Sequence, residues 1–292
     1  MTAAANHVIV SGGFDDVRLP DVRFLEEASR LGSLHVLLWT DEMLRERTGG
    51  DPKFPLSERQ YFVQAVRYVH QAHAVHDPAE LQALAGQWPD SIRVVREGEA
   101  AEADRQGLDH RIVPESDLDQ PRSTGILPVT EESWAGRPCY DETDDLQDAR
   151  DAERAGRRKV MVTGCYDWLH TGHIRFFEEV SALGDLYVVV GHDANIRLLK
   201  GEGHPLFDER VRRYMVGSIR YVTQALVSSG HGWLDAEPEI ERIRPDIYAV
   251  NEDGDKPEKR EYCEKHGIEY VVLKRLPKEG LPRRESTKLR GF

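Results

Sequence analysis

Two imidazoles, His170 and His173, stand three residues apart just after the apolar run Val160-Met161-Val162 and the short turn Thr163-Gly164-Cys165-Tyr166-Asp167. That order reads as strand, turn and helix N-terminus. Free backbone N–H groups and the positive end of a helix dipole collect at such a place, so it suits an anion. Side chains three residues apart share the first helical turn. Both rings can therefore hydrogen-bond the oxygens of one phosphate as charge builds on it. Gly172, between them, leaves room for a nucleotide to approach the backbone. The chemistry this suits is attack on an α-phosphate, with pyrophosphate leaving. A helix cap or a metal-binding pair is the plainer reading of two histidines, and the strand–turn–helix setting weighs against it.

The segment resembles the nucleotidyltransferase superfamily that carries a His-x-Gly-His signature, in particular its cytidylyltransferase branch. Leu199-Lys200-Gly201, Pro205, Arg212, Arg220-Tyr221-Val222, Asn251-Glu252-Asp253 and Ser286-Thr287 follow in the family's order between about Arg157 and about Arg290. The resemblance implies roles for residues of this chain. His170 and His173 would hold the phosphates and stabilise the pentacoordinate transition state. Lys200 would neutralise charge between the acceptor's phosphate and the α-phosphate. Arg212 would grip the β- or γ-phosphate. Thr163, Gly164, Cys165, Tyr166 and Gly172 would form the nucleotide turn, with Asp253 at the base or sugar and Ser286 and Thr287 on phosphate. Asp167 and Asp193 would face the acceptor. Mg²⁺ is implied by the triphosphate and by the family, though spacing alone yields no ligand set.

The resemblance points to CTP as substrate, with ATP as the alternative because Ser286-Thr287-Lys288-Leu289-Arg290 is similar to the Ser-Thr-x-x-Arg of adenylyltransferases. The acceptor implied is a small phosphorylated or phosphonate alcohol. A non-catalytic nucleotide-sensing or scaffold protein is the alternative from another class.

The same pattern occurs twice in the chain. Val8 to Leu44 aligned on Val160 to Ile196 gives about 14 identities in 37 positions, a clear internal repeat. Where the second copy has His170-Thr171-Gly172-His173, the first has Arg18-Leu19-Pro20-Asp21. Both imidazoles are gone, and Asp21 would repel a triphosphate. The Lys-Gly pair also lacks a clear counterpart. The first copy is therefore read as degenerate and catalytically inactive. The layout resembles that of ethanolamine-phosphate cytidylyltransferase, where the intact signature lies instead in the first copy.

These elements imply an α/β architecture of two tandem Rossmann-like, doubly wound parallel sheets. The division expected is a degenerate domain over 1–128, an acidic linker over 129–156 and a catalytic domain over 157–292. In the last, strands are expected at 159–163, 186–191, 221–227, 246–251 and 269–273. Helices are expected at 172–183, 193–199, 208–219, 236–243, 256–266 and 286–290. The two copies are expected to pair as an internal pseudo-dimer, with a further homodimer open.

The chain has 292 residues and a formal charge of −13, but the acidic excess falls on 1–156 and leaves 157–292 near neutral. The half that must hold a triphosphate is thus spared. Nucleic acid is not expected as a partner, because no basic patch with interleaved aromatics occurs. No membrane-spanning run or signal-peptide core is evident. Three widely spaced cysteines, Cys139, Cys165 and Cys263, form no metal or disulfide pattern, which fits a reducing cytoplasm.

Overall fold

The computed structural model describes residues 6–107, 109–122 and 155–289. Nearly all of the expected linker, and Arg290, lie outside them. The described residues fall into two compact units, 6–122 and 155–289.

The first unit holds strands β1 (His7–Gly12), β2 (Ser33–Trp39), β3 (Gln71–Val75), β4 (Ile92–Arg96) and β5 (Arg111–Val113). Its helices are α1 (Leu19–Ser29), α2 (Asp41–Thr48), α3 (Leu56–Ala65), α4 (Pro78–Ala85) and α5 (Ala100–Arg105). The second unit holds β6 (Lys159–Gly164), β7 (Asp185–Val190), β8 (Gln224–Val227), β9 (Ile247–Asn251) and β10 (Glu269–Leu273). Its helices are α6 (Thr171–Ser181), α7 (Asp193–Lys200), α8 (Glu209–Gly217), α9 (Glu237–Ile243), α10 (Pro257–His266) and α11 (Ser286–Leu289).

Both sheets have five strands, in the orders β3-β2-β1-β4-β5 and β10-β9-β6-β7-β8. Every recorded strand pair is parallel, as in Val160↔Leu186 and Val160↔Ile247. Read from the opposite edge, the second order is the first. This is the doubly wound arrangement the sequence implies, and the topology repeats as the residues do. Apolar β-branched runs make the central strands because both sheet faces are covered. All six residues of β7 are buried.

The register of the repeat is enforced at two glycines. A Cβ on Gly32 would lie 2.0 Å from the Asn6 carbonyl oxygen, and one on Gly184 would lie 2.4 Å from that of Arg158. Only glycine lets the helix-to-strand turn pass so close to the chain that enters the sheet.

The second unit's elements begin and end within one or two residues of expectation, with one exception. The strand expected from Tyr221 starts at Gln224. Arg220-Tyr221-Val222 instead forms the turn after α8, where the Val222 amide donates to the Ile219 carbonyl at 3.0 Å. On one face of this sheet Met161, Tyr187, Val189, Ile240, Tyr248, Val250 and Cys263 pack into a continuous core.

Candidate active site

The strand order of the second sheet reverses between β6 and β9. Ligands of doubly wound sheets bind beyond the strand C-termini at such a reversal. The Gly164–His170 loop, the Asn251–Asp253 turn and the Lys274–Arg275 segment all follow strands that end there.

His170 is the N-cap of α6. Its backbone is extended, and its Nδ1 accepts the Gly172 amide at 3.1 Å. A neutral ring that accepts at Nδ1 carries its proton on Nε2. The cap thus fixes the tautomer and leaves Nε2–H as the donor. His173 stacks on His170 with ring centroids 4.0 Å apart and planes at 23°. The two imidazoles form one slab at the positive end of the helix.

Gly172 makes that stack possible. A Cβ there would lie 2.9 Å from His170 Cε1 and 3.0 Å from Nδ1. On that side the space it leaves is filled by the His170 ring. Burial, the His170 ring and the charges of Arg275 and Lys200 push His173 well below the usual imidazole range. His173 is therefore neutral at physiological pH. Its Nδ1 is buried and has no hydrogen-bond partner among the described residues.

Tyr166 adopts a left-handed backbone, φ 52°, which swings its ring over the end of β6. There it packs on Phe177 and meets His173 edge-on, with centroids 5.2 and 5.3 Å apart. A Cβ on Gly164 would strike that ring at 2.8 Å, which accounts for the glycine. Thr163 turns its hydroxyl to Tyr248, 2.7 Å away. Cys165 offers its carbonyl to Arg212, and burial raises its thiol pKa although Lys200 and Arg212 oppose the rise. An un-ionised thiol is no nucleophile, in keeping with a small residue tolerated in the turn.

Arg212 differs from expectation. It is 1% exposed, and its donors are spent on protein. Nε meets the Phe207 carbonyl at 2.9 Å, Nη1 that of Cys165 at 2.7 Å, and Nη2 the Gly191 carbonyl at 2.8 Å and Asp193 at 2.6 Å. These contacts enclose the guanidinium and brace the turn after β6. Asp193 is correspondingly tied to Arg212. Asp167, 7% exposed, accepts the Leu206 and Phe207 amides at 2.6 and 3.0 Å and so clamps the loop that follows Lys200.

Lys200 ends α7 at an exposed position, followed by Gly201 in the left-handed half of the map, φ 85°. Its charge reaches both Cys165 and His173. Ser286 donates to the Trp168 carbonyl at 3.3 Å, which ties the start of α11 to the loop before His170. Thr287 follows it in the same helix.

Sequence reasoning missed Arg275. Its guanidinium pairs with Asp253 and donates to the Arg284 carbonyl at 3.4 Å. Asp253 therefore holds an arginine. Lys274, Arg275, Arg283 and Arg284 line a crevice against Thr171 and Gly172 at the start of α6. The run Lys274-Arg275-Leu276-Pro277-Lys278 was the available signal.

The first unit shows the same site closed. Asp21 accepts the Arg18 amide at 2.8 Å and pairs with Arg96 at 2.8 Å. Its own carboxylate occupies the helix N-terminus where the second unit presents two imidazoles. Arg18 also pairs with Asp16, and Lys53 meets Asp16 at 2.6 Å.

No group of three His, Cys, Asp or Glu side chains suited to a metal occurs among the described residues. None of the described helices is long and apolar enough to cross a membrane.

A sequence profile described as "Cytidylyltransferase-like" matches residues 161–283. An "FAD synthase" of Aciduliprofundum boonei is 41% identical over 125 residues, 42% of this chain and 80% of that protein. A "Bifunctional protein HldE" of Alkalilimnicola ehrlichii is 43% identical over 95 residues, 32% of this chain but only 20% of that protein. The structure is also similar to a lipopolysaccharide core biosynthesis protein of Thermoplasma volcanium, with TM-score 0.36 and 30% identity, covering 40% of this chain and 97% of that one.

Proposed function

The chain belongs to the cytidylyltransferase-like family of the nucleotidyltransferase superfamily, and on that footing we propose that its second unit transfers AMP from ATP to a small phosphate monoester, releasing pyrophosphate. The observation that carries this reading is the stacked His170–His173 pair on the helix N-terminus, its tautomer set by the Gly172 amide.

An acceptor phosphate oxygen attacks the α-phosphorus. The bond from that phosphorus to the bridging oxygen breaks, and pyrophosphate leaves with the electron pair. As negative charge grows on the non-bridging oxygens, His170 Nε2–H and the neutral His173 ring stabilise it as preorganised dipoles. Lys200 and Arg275 supply the positive charge that brings two anions together. Mg²⁺ would arrive bound to the triphosphate and would help neutralise its charge. Arg212, Asp193 and Asp167 act one step back, holding the turn on which the triphosphate rests.

ATP is favoured over CTP by the relatives named FAD synthase, because FAD contains an AMP half. The Ser286-Thr287-Lys288-Leu289-Arg290 stretch supports the same choice. CTP remains the second reading, favoured by the family profile and the tandem layout. The first unit is read as a non-catalytic copy, because Asp21 and Arg96 fill its anion site.

The test is pyrophosphate release with Mg²⁺ and ATP or CTP against FMN, phosphoalcohols, sugar phosphates and phosphonates. Turnover with ATP and at least one phosphate monoester, lost in His170→Ala, is the expected result. Silence with both nucleotides across the panel would sink the reading.

A further inference from the structure

We propose that the first unit carries a binding cleft of its own, for a small monoanion with a flat apolar body such as an aromatic carboxylate. The cleft, of about 460 Å³, lies against the sheet face presented by Ile9, Ser11, Leu37 and Trp39. Sites for small molecules commonly enclose about 300–1,000 Å³.

The repeat shows what should fill this space. The equivalent positions of the second sheet are Met161, Thr163, Val189 and Gly191, and that face is packed by Ile240, Ile243, Tyr248, Val250 and Cys263. In the first unit the covering helices read Pro-Ala-Glu-Leu-Gln-Ala-Leu-Ala and Ala-Ala-Glu-Ala-Asp-Arg. On the first unit's face Leu81, Leu84, Ala85 and Trp88 pack one side, while the buried residue that α5 brings to the cleft is the small Ala103, where α10 of the other unit brings Cys263 into its core. Beside that packed part the first unit keeps an open cleft.

The walls state the chemistry. Trp39 lines the cleft, and its Nε1–H is buried with no hydrogen-bond partner among the described residues. That is a donor awaiting an acceptor. Arg47 lies over the Trp39 ring at 4.2 Å and reaches Glu102 at 3.4 Å. Glu102 also accepts Gln106 at 3.1 Å, and Glu99 accepts the Arg96 amide at 3.2 Å. Glu102 is thus paired with a cation, and Glu99 is held by a backbone amide. Arg93 also lines the cleft and is half-buried, and its side chain makes no ion pair or hydrogen bond among the described residues. The unpaired Arg93 side chain and the orphan Trp39 N–H can both address one anionic group. Glu99 and Glu102 on the same wall disfavour a polyphosphate. Ile9, Leu37 and Leu81 supply the apolar floor.

The probe is 8-anilinonaphthalene-1-sulfonate, an aromatic monoanion that brightens on leaving water, titrated into the full chain. One saturable site is expected, unaffected by saturating ATP or CTP with Mg²⁺. Arg93→Gln should weaken it about tenfold, the worth of a charge-assisted contact. Neutral N-phenyl-1-naphthylamine should bind that variant as before. Leu81→Trp, which fills the cleft, should abolish both signals. Displacement of the probe by nucleotide would assign it to the second unit and overturn the proposal. So would the absence of saturable binding, or an Arg93→Gln protein that binds the sulfonate as tightly as the parent.

Discussion

Arg59 and Arg212 hold the same four partners at equivalent places in the two units. Arg59 is 2% exposed and meets the carbonyls of Phe54, Gly13 and Trp39 and the Asp41 carboxylate, at 3.0, 2.5, 2.9 and 2.6 Å. Arg212 meets Phe207, Cys165, Gly191 and Asp193. The aspartates behave alike, since Asp15 accepts the Lys53 and Phe54 amides as Asp167 accepts those of Leu206 and Phe207. The unit that lost its imidazoles kept the whole brace. A feature shared by both units, one with an anion site filled by its own carboxylate, serves the fold.

It follows that Arg59→Ala and Arg212→Ala should each destabilise their own unit by about 3 kcal/mol, the cost of stripping one partner from a buried charged network. Denaturant unfolding of the two variants measures this. An Arg212→Ala protein of parental stability, impaired only in KM for the triphosphate, would return the residue to a phosphate-gripping role.

Gly172→Ala should act as a concealed histidine mutation. The added methyl meets the His170 ring at 2.9 Å, and a ring can rotate away where a backbone cannot. The expected outcome is a kcat loss of about 10² or more, matching His170→Ala and His173→Ala, with little change in melting temperature. Parallel kinetics and melting curves on the three variants check it.

The first unit should weaken in mild acid. His35 sits on β2 among His7 from β1, His70 just before β3 and His73 within it, with the Trp88 ring tilted against it at 4.1 Å. Burial, then the charges of His70, His7 and His73, lower its pKa to about 4. Unfolded, it would titrate near ~6.5. The unfolded chain therefore binds a proton that the folded unit refuses. The stabilisation is complete above the higher value and is lost as pH falls toward the lower. Melting temperature should drop by about 5 °C from pH 7 to pH 5. His35→Leu should flatten that slope.

Much of this was legible in the chain. The Val-rich runs and the repeat made two doubly wound parallel sheets, and the spans of their elements, readable, because periodicity and glycine turns are local signals. What was not legible depends on where long side chains end. Arg212 and Asp193 are 19 residues apart and look like two independent ligands until the fold joins them at 2.6 Å. Thr163 pairs with a tyrosine 85 residues away. Charge type can be read from sequence, but whether a charge is already spent cannot.

Arg275 is the sharpest case, because spacing gave it no role while the fold puts its charge beside His173. It answers to Asp253, 22 residues earlier, across the ends of neighbouring strands β9 and β10. The Asp253 carboxylate is half exposed and can be outcompeted by a triphosphate, whose greater charge offers Arg275 a stronger partner. Arg275→Ala should therefore raise KM for the nucleotide and lower kcat, each by about tenfold, while leaving stability nearly unchanged, as loss of an exposed pair costs little. Asp253→Asn should do the reverse at the ground state, freeing Arg275 and lowering KM. Steady-state kinetics on the two variants decide the matter. If both were silent, Arg275 and Asp253 would be no more than a surface pair.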